Sequence, residues 1–511
     1  MLQIVHMKDK NKYFEQFKPI RNQLRRFNLF DSLAVIREYV VAFDSKKERR
    51  FLRNIEKSDS KIIMPNIIDF CIANIILYSQ TLPTPKSISQ YKDRYKLISA
   101  IESIEYRINE HGIDRDVWLW FHAFGLNQSK QYTGNLYSNV YRYYSIFNND
   151  VDLRDRIEKM IGISYHDYIA CSFWIYSIFG SKDGFCIPKS YLFSMGEKYN
   201  NTPFTIKNIN TVLSLITMPL ASIREAIKGY ISYDETMFWL FNSPHIHFPL
   251  IEYETNIYCV SPQYLLNQIT SGIYYMADIP NSNLVNQFGK SFENYVGYII
   301  SENNESCRYF ISPEIEYENS KKTSDWIIQD ANTIVLIECK TKRLTEHSKV
   351  QQTIDFNNDI NSNPLLKDIT TIAGGVTQLY KVYNDSLNSK IDKLPYNSNK
   401  QFVPILVTLE YMLPSIPTIS SKVTEIVRIN LLKANIDDSI IDTYPFHIIP
   451  ISDFEYNIQI MMHEGFENYF QNKTKEGITI DNDYRIKFVY KDYFRGNFSR
   501  DFIDPYRHIE K

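Results

Sequence analysis

Hydrophobic and polar positions follow a helical period over much of the first half of the chain. The stretches DSLAVIREYVVAF, MPNIIDFCIANIILYSQ and SQYKDRYKLISAIESIEYRI place apolar residues three and four positions apart, which is the spacing of one face of an α-helix. Asp31 precedes the first of these faces, in the position of an N-cap. The pattern predicts a mostly helical region, of one or two domains, over residues 1–234.

The pattern changes in the stretch HIHFPLIEYETNIYCVSPQYLLNQITSGIYYM, where shorter apolar runs surround a turn. Two strand-like runs and a helix from about Pro262 predict a connecting strand-and-helix module over residues 235–283. His245 and His247 have the spacing of two residues on one face of a strand. Because no third ligand lies near them in the sequence, we expect a structural role rather than a metal pair.

Strand-like and helix-like patterns alternate from Leu284 onward. The helical stretch NLVNQFGKSFENYVGYIISEN precedes three strand-like runs, RYFISPEIEYE, SDWII and TIVLIECK. Helical periodicity returns at about 345–359 and 371–384, and QFVPILVTLEY (strand), SSKVTEIVRINLLKAN (helix) and FHIIPI (strand) complete the series. This alternation predicts an α/β domain with a mixed sheet covered on both faces, over residues 284–452. Residues 453–511 are predicted to form a helical and irregular extension.

Composition narrows the class of protein. The chain has 511 residues, 44% hydrophobic and 23% charged, which is the balance of globular domains with sizeable cores. Its formal net charge of -2 excludes a globally basic coat for nucleic acid but allows a local basic surface. The six cysteines include no C-x-x-C pair, which favours a reducing compartment without structural zinc. The first residues lack the apolar core of a secretory signal, and no apolar run is long enough to span a bilayer, so we expect a cytoplasmic protein without a membrane partner.

A basic cluster lies in the helical region, at Lys46, Lys47, Arg49, Arg50 and Arg53. On a helix these residues would put several cations on adjoining faces. Two interpretations stay open, a solvated face and a surface that contacts phosphates, and the solvated face is favoured.

The apolar run TIVLIECK ends in an acid and a base two residues apart. Side chains alternate across a strand, so Glu338 and Lys340 should face one way and Cys339 the other. Asp325 begins the partner strand of the predicted hairpin and should lie beside them. Two neighbouring carboxylates repel each other, and a divalent cation relieves the repulsion. Asp325, Glu338 and the backbone carbonyl of Cys339 are therefore candidate ligands of Mg²⁺, or of Mn²⁺, because these ions prefer hard oxygen atoms.

Such an ion would polarise a phosphodiester and lower the pKa of a bound water. Lys340 is then the candidate catalytic cation, which orients the water or stabilises charge on the phosphate. Glu293, on the preceding helix, could add an auxiliary carboxylate. The residues just beyond the strand, Thr341, Lys342 and Arg343, are candidate contacts to a nucleic-acid backbone. Surface charge without function is an equal alternative for these three.

These residues resemble the PD-(D/E)XK nuclease superfamily, whose signature is an acid, a variable gap and then acid-x-Lys. The match consists of an acid at the head of one strand and acid-x-Lys at the end of the next, Asp325 and Glu338-Cys339-Lys340. Glu293, in GKSFENYV, matches a glutamate that the family often carries on the preceding helix, and Ser324 replaces the signature proline. The resemblance covers about Leu284–Ile451 and implies a restriction-endonuclease-like domain with an αβββαβ core.

The resemblance implies a metal-dependent nuclease that acts most often on DNA, with RNA as an alternative, and a role in bacterial restriction or anti-phage defence. Cutting of both strands by such domains implies a homodimer. The chain contains no G-x-x-x-x-G-K-[ST] loop, so an NTP-driven step would need a separate NTPase partner.

RecB-like branches of the superfamily carry a Gln and a Tyr four residues apart on the following helix. Here Gln378 and Tyr383 are five apart, which turns the second side chain by about 100° around the helix. We therefore keep only Gln378 as a candidate nucleic-acid contact.

Two other classes of function stay open at this stage. One is a nuclease-like nucleic-acid-binding or regulatory subunit that does not cleave. The other is an interaction scaffold, in which the helical half is the functional part.

Overall fold

The computed structural model describes residues 14–44, 65–82, 136–198, 203–231, 233, 243–304, 307–344, 348, 363–394, 400–410 and 417–470. Three predictions fall on other residues: the helix SQYKDRYKLISAIESIEYRI, the basic cluster and most of the helix at about 345–359. The predicted extension is described only as far as residue 470.

The first part of the described chain is mainly helical. Its helices are α1 (Lys18–Leu24), α2 (Leu29–Asp44), α3 (Pro65–Tyr78), α4 (Leu136–Asn148), α5 (Val151–Ile161), α6 (Tyr165–Gly180), α7 (Lys189–Lys198), α8 (Ile206–Ile216) and α9 (Leu220–Tyr230). Helices α2 and α3 confirm two of the predicted helices. The predicted N-cap of α2 is wrong, because the helix begins before Asp31 and the Asn28 side chain accepts hydrogen bonds from the N–H groups of Phe30 and Asp31.

A small four-stranded sheet joins this part to the middle of the chain. Its strands are β1 (Cys186–Pro188), β2 (Thr217–Pro219), β3 (Leu250–Tyr253) and β4 (Asn256–Cys259), in the order β1-β4-β3-β2. The antiparallel pair β3–β4 confirms the predicted pair of strands. Strands β1 and β2 lie in the region predicted to be mostly helical, and at three residues each they are too short to produce an alternation pattern.

This middle region also contains three short helices, α10 (Pro244–His247), which precedes β3, and α11 (Pro262–Gln268) and α12 (Gly272–Met276), which follow β4. The helix predicted from about Pro262 is confirmed. The strand placement of His245 and His247 is wrong, because both lie in the single turn of α10. His245 is buried, and its Nδ1 atom lies 2.5 Å from the hydroxyl of Ser243, as expected for a structural histidine.

The last part of the described chain alternates helices and strands. They are α13 (Val285–Glu302), β5 (Phe310–Pro313), β6 (Glu316–Tyr317), β7 (Lys321–Lys322), β8 (Trp326–Gln329), β9 (Thr333–Lys340), α14 (Pro364–Leu387), β10 (Gln401–Thr408), α15 (Pro417–Lys433), α16 (Ile440–Thr443), β11 (His447–Pro450) and α17 (Ile451–Glu464). Five of the strands form one sheet in the order β11-β10-β9-β8-β5. Strands β5, β8 and β9 pair antiparallel, whereas β9, β10 and β11 pair parallel. The predicted α/β class with a mixed sheet is therefore confirmed.

The run RYFISPEIEYE is not one strand. Strand β5 ends at Pro313, and β6 pairs instead with β7 in a separate two-stranded sheet. Proline lacks the N–H that a continued ladder needs. This small hairpin leads directly into Thr323 and Ser324, the two buried residues before Asp325.

The two faces of the five-stranded sheet belong to different cores. Val335 and Ile337 of β9 pack in the larger core with α13, whereas Ile334 and Leu336 pack in a second core with α14 and α15. On the first face, Gly297 of α13 lets the helix approach Trp326 closely, because a Cβ atom there would lie 1.9 Å from the indole ring.

The larger core continues from the helical part of the chain into the sheet. It contains buried residues of α4, α5 and α6 together with residues of β9, β10 and α17. Arg142 of α4 donates two hydrogen bonds to the Glu455 carboxylate of α17, at 2.6 and 2.7 Å, and the hydroxyl of Tyr295 in α13 donates a third at 2.8 Å. This core therefore crosses the predicted domain limits at 234 and 283, and the limit at 452 lies inside α17.

Candidate active site

Strand pairing brings Asp325 next to Glu338. Trp326 of β8 is paired with Ile337 of β9. Because the strands are antiparallel, Asp325, which precedes Trp326, lies opposite Glu338, which follows Ile337. The Asp325 carboxylate accepts a hydrogen bond of 2.7 Å from the backbone N–H of Cys339. The predicted hairpin thus places both carboxyl groups at the same end of the antiparallel pair.

Lys340 lies on the same face of β9 as Glu338. Its ammonium group donates a hydrogen bond of 2.6 Å to Oε1 of Glu338, and the side chains are 30% and 4% exposed, respectively. Cys339 is buried in the larger core on the opposite face. The alternation predicted from TIVLIECK is confirmed, because the acid and the base share one face and the cysteine lies on the other.

Both carboxyl groups have a raised pKa. Burial, followed by the charge of Glu293, raises the pKa of Asp325 to about 6. Burial, followed by the charge of Asp325, raises the pKa of Glu338 to about 7. Burial is the largest single effect on the pKa of Lys340 and lowers it, but the charge and hydrogen bond of Glu338, together with the charge of Asp325, raise the pKa of that ammonium group above its ordinary value. Two acids that repel each other in a desolvated position are characteristic of functional sites rather than of stable cores.

One oxygen atom of the site has no partner among the residues that the structure describes. Oε2 of Glu338 is buried and accepts no hydrogen bond from them, although Oε1 is held by Lys340. A buried carboxylate oxygen without a donor is costly. A divalent cation would engage this atom and screen the repulsion between the two acids, so the residues present fit such an ion.

The structure also limits the ligand set. Over the described ranges, no group of three or more His, Cys, Asp and Glu side chains is arranged to hold a metal ion. Asp325 and Glu338, with the Cys339 carbonyl, are thus a two-carboxylate set. Mg²⁺ commonly uses one or two carboxylates and completes its shell with water and phosphate oxygens, so a third acidic side chain is not required.

Glu293 lies beside the site without completing it. Its carboxylate accepts a hydrogen bond of 2.6 Å from Lys290 one turn earlier on α13, and its backbone carbonyl accepts one from the Trp326 indole at 2.9 Å. The charge of Glu293 raises the pKa of Asp325. An electrostatic role for Glu293 is therefore supported, while its carboxylate is already paired with a lysine.

The stem of Lys340 is enclosed by helix α14. A Cβ atom at Gly375 would lie 3.1 Å from Cε of Lys340 and 2.9 Å from Cδ1 of Leu406. Glycine inside a helix costs about 1 kcal/mol relative to alanine, and the close approach of the lysine explains why it is there. The two adjacent glycines in the stretch IAGGVTQ are the signal in the sequence from which this close contact could have been predicted.

The residues after β9 have three different environments. Thr341 is half-buried at the strand end. Lys342 is 30% exposed and forms an ion pair of 2.9 Å with Asp368, a buried residue of α14. Thr341 and Lys342 are thus partly exposed to solvent, whereas the setting of Arg343 is different.

Arg343 is an interior residue. Its side chain is 7% exposed, it lies over the Tyr274 ring at 4.1 Å, and one terminal nitrogen lies 3.5 Å from the Glu410 carboxylate. This position does not fit the predicted surface contact with a phosphate. Neither the tyrosine nor the glutamate is near Arg343 in the sequence, so the burial could not be predicted.

Gln378 lies beside the acidic end of the site. Its side-chain amide is 3.4 Å from the backbone carbonyl of Thr323, two residues before Asp325. Tyr383, by contrast, is buried against Phe402 with stacked rings. The structure therefore brings Gln378 to the site and leaves Tyr383 in the core.

Comparison of the chain with family models, with curated proteins and with solved structures finds no match. Among the helices that the structure describes, none is long and apolar enough to cross a membrane.

Proposed function

We propose that the protein is a metal-dependent nuclease that hydrolyses phosphodiester bonds, with DNA as the substrate. The observation that supports it most is the buried Oε2 atom of Glu338, which accepts no hydrogen bond from the described residues, in a carboxylate whose other oxygen is held by Lys340 and whose pKa is raised by the charge of Asp325. A core whose acids served only stability would satisfy or omit them.

The order of elements around this site agrees with the proposal. Helix α13, strands β5, β8 and β9, helix α14 and strand β10 follow one another in the chain, and the four strands are neighbours in the sheet. This is the αβββαβ order implied by the resemblance to PD-(D/E)XK nucleases. The small hairpin β6–β7 is an insertion between the first two of these strands.

Each site residue has a distinct role in this proposal. Asp325 and Glu338, with the Cys339 carbonyl, would hold Mg²⁺ or Mn²⁺, and the ion would supply Lewis-acid stabilisation of a phosphate group. Lys340 would stabilise negative charge on the phosphate oxygens and orient the attacking water. Its ammonium group stays protonated at neutral pH because Glu338 raises its pKa.

The test is cleavage by the purified full chain. Supercoiled plasmid and linear duplex are incubated with the protein and Mg²⁺, Mn²⁺ or EDTA, and products are resolved on gels. We expect cleavage with either metal ion, none in EDTA, and at least a hundredfold lower rate for Lys340→Ala, the range for loss of a charge-stabilising group.

A matched control is Lys228→Ala. Lys228 also pairs with a glutamate, Glu225 at 2.7 Å, but on the exposed surface of α9, so its loss should leave cleavage unchanged. Equal rates for wild type and Lys340→Ala would contradict the proposal, and binding of DNA without any cleavage would favour the non-catalytic alternative.

A further inference from the structure

One face of helix α14 runs beside the candidate active site and carries a distinct set of residues. At about 100° per residue, five positions fall within about 80° of arc around the helix axis: Lys367, Thr371, Gly374, Gln378 and Lys381. We call this set the α14 stripe. Four of the five residues are exposed and Gln378 is half-buried.

The stripe adjoins the site at its middle. Gly375, the neighbour of Gly374, contacts the Lys340 stem, and Gln378 contacts the carbonyl of Thr323 before Asp325. A molecule lying along the stripe would therefore pass the segment that leads into Asp325 at Gln378, while Lys340 contacts the adjoining face of the helix, about 100° around the axis. Lys367 and Lys381, at the two ends, are about 21 Å apart along the axis at 1.5 Å per residue.

Within the described part of the chain, no packing contact explains Gly374. A Cβ atom there would meet none of the described residues within 4 Å, whereas the Cβ of Gly375 would meet Lys340 and Leu406. Glycine weakens a helix interior, so an open position inside a helix usually carries another residue. A missing side chain at the centre of the stripe lets the backbone of a partner come close to the helix.

The positive charge at both ends of the stripe favours an anionic partner. Its ends are lysines, and over the described residues neither forms an ion pair. Between them lie the Thr371 hydroxyl, which donates to the Lys367 carbonyl at 3.0 Å, and the Gln378 amide, a group that commonly contacts phosphate and sugar oxygens. Lys342 lies at the same end as Lys367, since it pairs with the adjacent Asp368.

We infer that the α14 stripe is the track for the sugar-phosphate backbone of the cleaved DNA strand, with its closest approach at Gly374. The inference rests on the proposed nuclease function and adds where the substrate lies. Lys367 and Lys381 contact phosphates on either side of the scissile bond, and Gln378 contacts the backbone between them.

The experiment measures binding of a fluorescent duplex as a function of salt concentration, with Mg²⁺, in the Lys340→Ala background so that the substrate stays intact. Each of Lys367→Glu and Lys381→Glu should weaken binding and reduce the slope of log affinity against log salt by about 1. Lys207→Glu, an exposed lysine on α8, is the matched charge reversal and should behave as the background protein does.

Gly374→Ala tests the close approach separately. Alanine strengthens a helix, so this variant should melt at a higher temperature while binding DNA more weakly. A fall in affinity cannot then be explained by loss of folding.

The outcomes separate the two proposals. No binding of duplex by the background protein would count against the nuclease function itself. Binding with unchanged salt slopes for both lysine variants, or unchanged affinity for Gly374→Ala, would overturn the track on α14 and leave the function intact.

Discussion

The Asp325 carboxylate accepts a hydrogen bond from the backbone N–H of Cys339, at 2.7 Å, across the β8–β9 pair. This bond fixes one acid of the site to the strand that carries the other. Two properties of Asp325, its hydrogen-bonding oxygen and its charge, can be tested separately, because substitution by asparagine keeps the oxygen and removes the charge.

We expect Asp325→Ala and Asp325→Asn to differ in stability although both abolish cleavage. The alanine variant leaves the Cys339 N–H without its acceptor and should lower the free energy of unfolding by about 1 to 3 kcal/mol. The asparagine variant keeps an acceptor and removes a desolvated charge, so it should be more stable than wild type at pH 8. Urea denaturation measures both, and equal destabilisation by the two variants would contradict the argument.

The stability gap between Asp325→Asn and wild type should depend on pH. In the folded state the pKa of Asp325 is about 6, above its ordinary value of 3.8, so folding favours the protonated acid. The stability that this group contributes is present below pH 4 and is lost as the pH rises through 6. Between pH 4.5 and pH 8, the free energy of unfolding of the asparagine variant should therefore rise relative to that of wild type, by an amount on the order of 2 kcal/mol. A gap that stays constant over this range would show that Asp325 has no raised pKa.

A divalent cation should stabilise the folded protein. At a hundred times its dissociation constant, a ligand that binds only the folded state adds about 2.7 kcal/mol, which is visible as a higher melting temperature in Mg²⁺ or Mn²⁺ than in EDTA. Protons compete for the carboxylates of Asp325 and Glu338, whose pKa values are about 6 and about 7. The increase in melting temperature on adding the metal ion should thus be small at pH 5.5 and complete at pH 8. Asp325→Asn is the control, and the same shift in that variant would place the ion elsewhere.

Gly375→Ala should impair the position of Lys340. The new Cβ would be 3.1 Å from Cε of the lysine, so the side chain must move by a few tenths of an ångström. Because misplacement of a catalytic group by about 1 Å can cost a hundredfold, we expect cleavage to fall by about tenfold, with unchanged affinity for DNA. Gly229→Ala, whose Cβ would meet nothing within 4 Å, is the matched control on α9. Full activity of Gly375→Ala would show that the lysine tolerates displacement.

The buried ion pair between Arg142 and Glu455 should be essential for stability. Arg142→Met leaves the fully buried Glu455 carboxylate without its cation, and loss of one partner of such a pair typically costs 3 to about 5 kcal/mol. The double variant Arg142→Met with Glu455→Leu should recover much of this loss. Denaturant unfolding of the single and double variants measures the coupling free energy between the two side chains. Additive effects on the free energy of unfolding would show that the two side chains act independently.

The sequence predicted the local geometry around Asp325 and Glu338 better than the contacts between distant segments. Strand β9 spans the predicted run from Thr333 to Lys340, and the hairpin with β8 was sufficient to bring Asp325 to Glu338. Both results depend on interactions that are local in the chain, because strand alternation and a short turn determine them.

Contacts between distant segments could not be predicted in this way. The burial of Arg343 depends on Tyr274 and Glu410, and the pairing of Lys342 depends on Asp368. No local pattern marks such partners. The short strands β1 and β2 were missed for a related reason, since each is defined by its pairing with β4 or β3 rather than by its own residues.

The core shared by α4, α13 and α17 limits which fragments of this protein can fold. A fragment that begins near Leu284 would expose the apolar side of α13 to water and would lack Arg142, the cation that pairs with the Glu455 carboxylate. Such a fragment should be insoluble, even though it contains strands β8 and β9 in full. Helices α4, α5 and α6 share one core with β9, the strand that carries Glu338, so a substitution that disrupts this core in the helices should also disturb the position of that carboxylate.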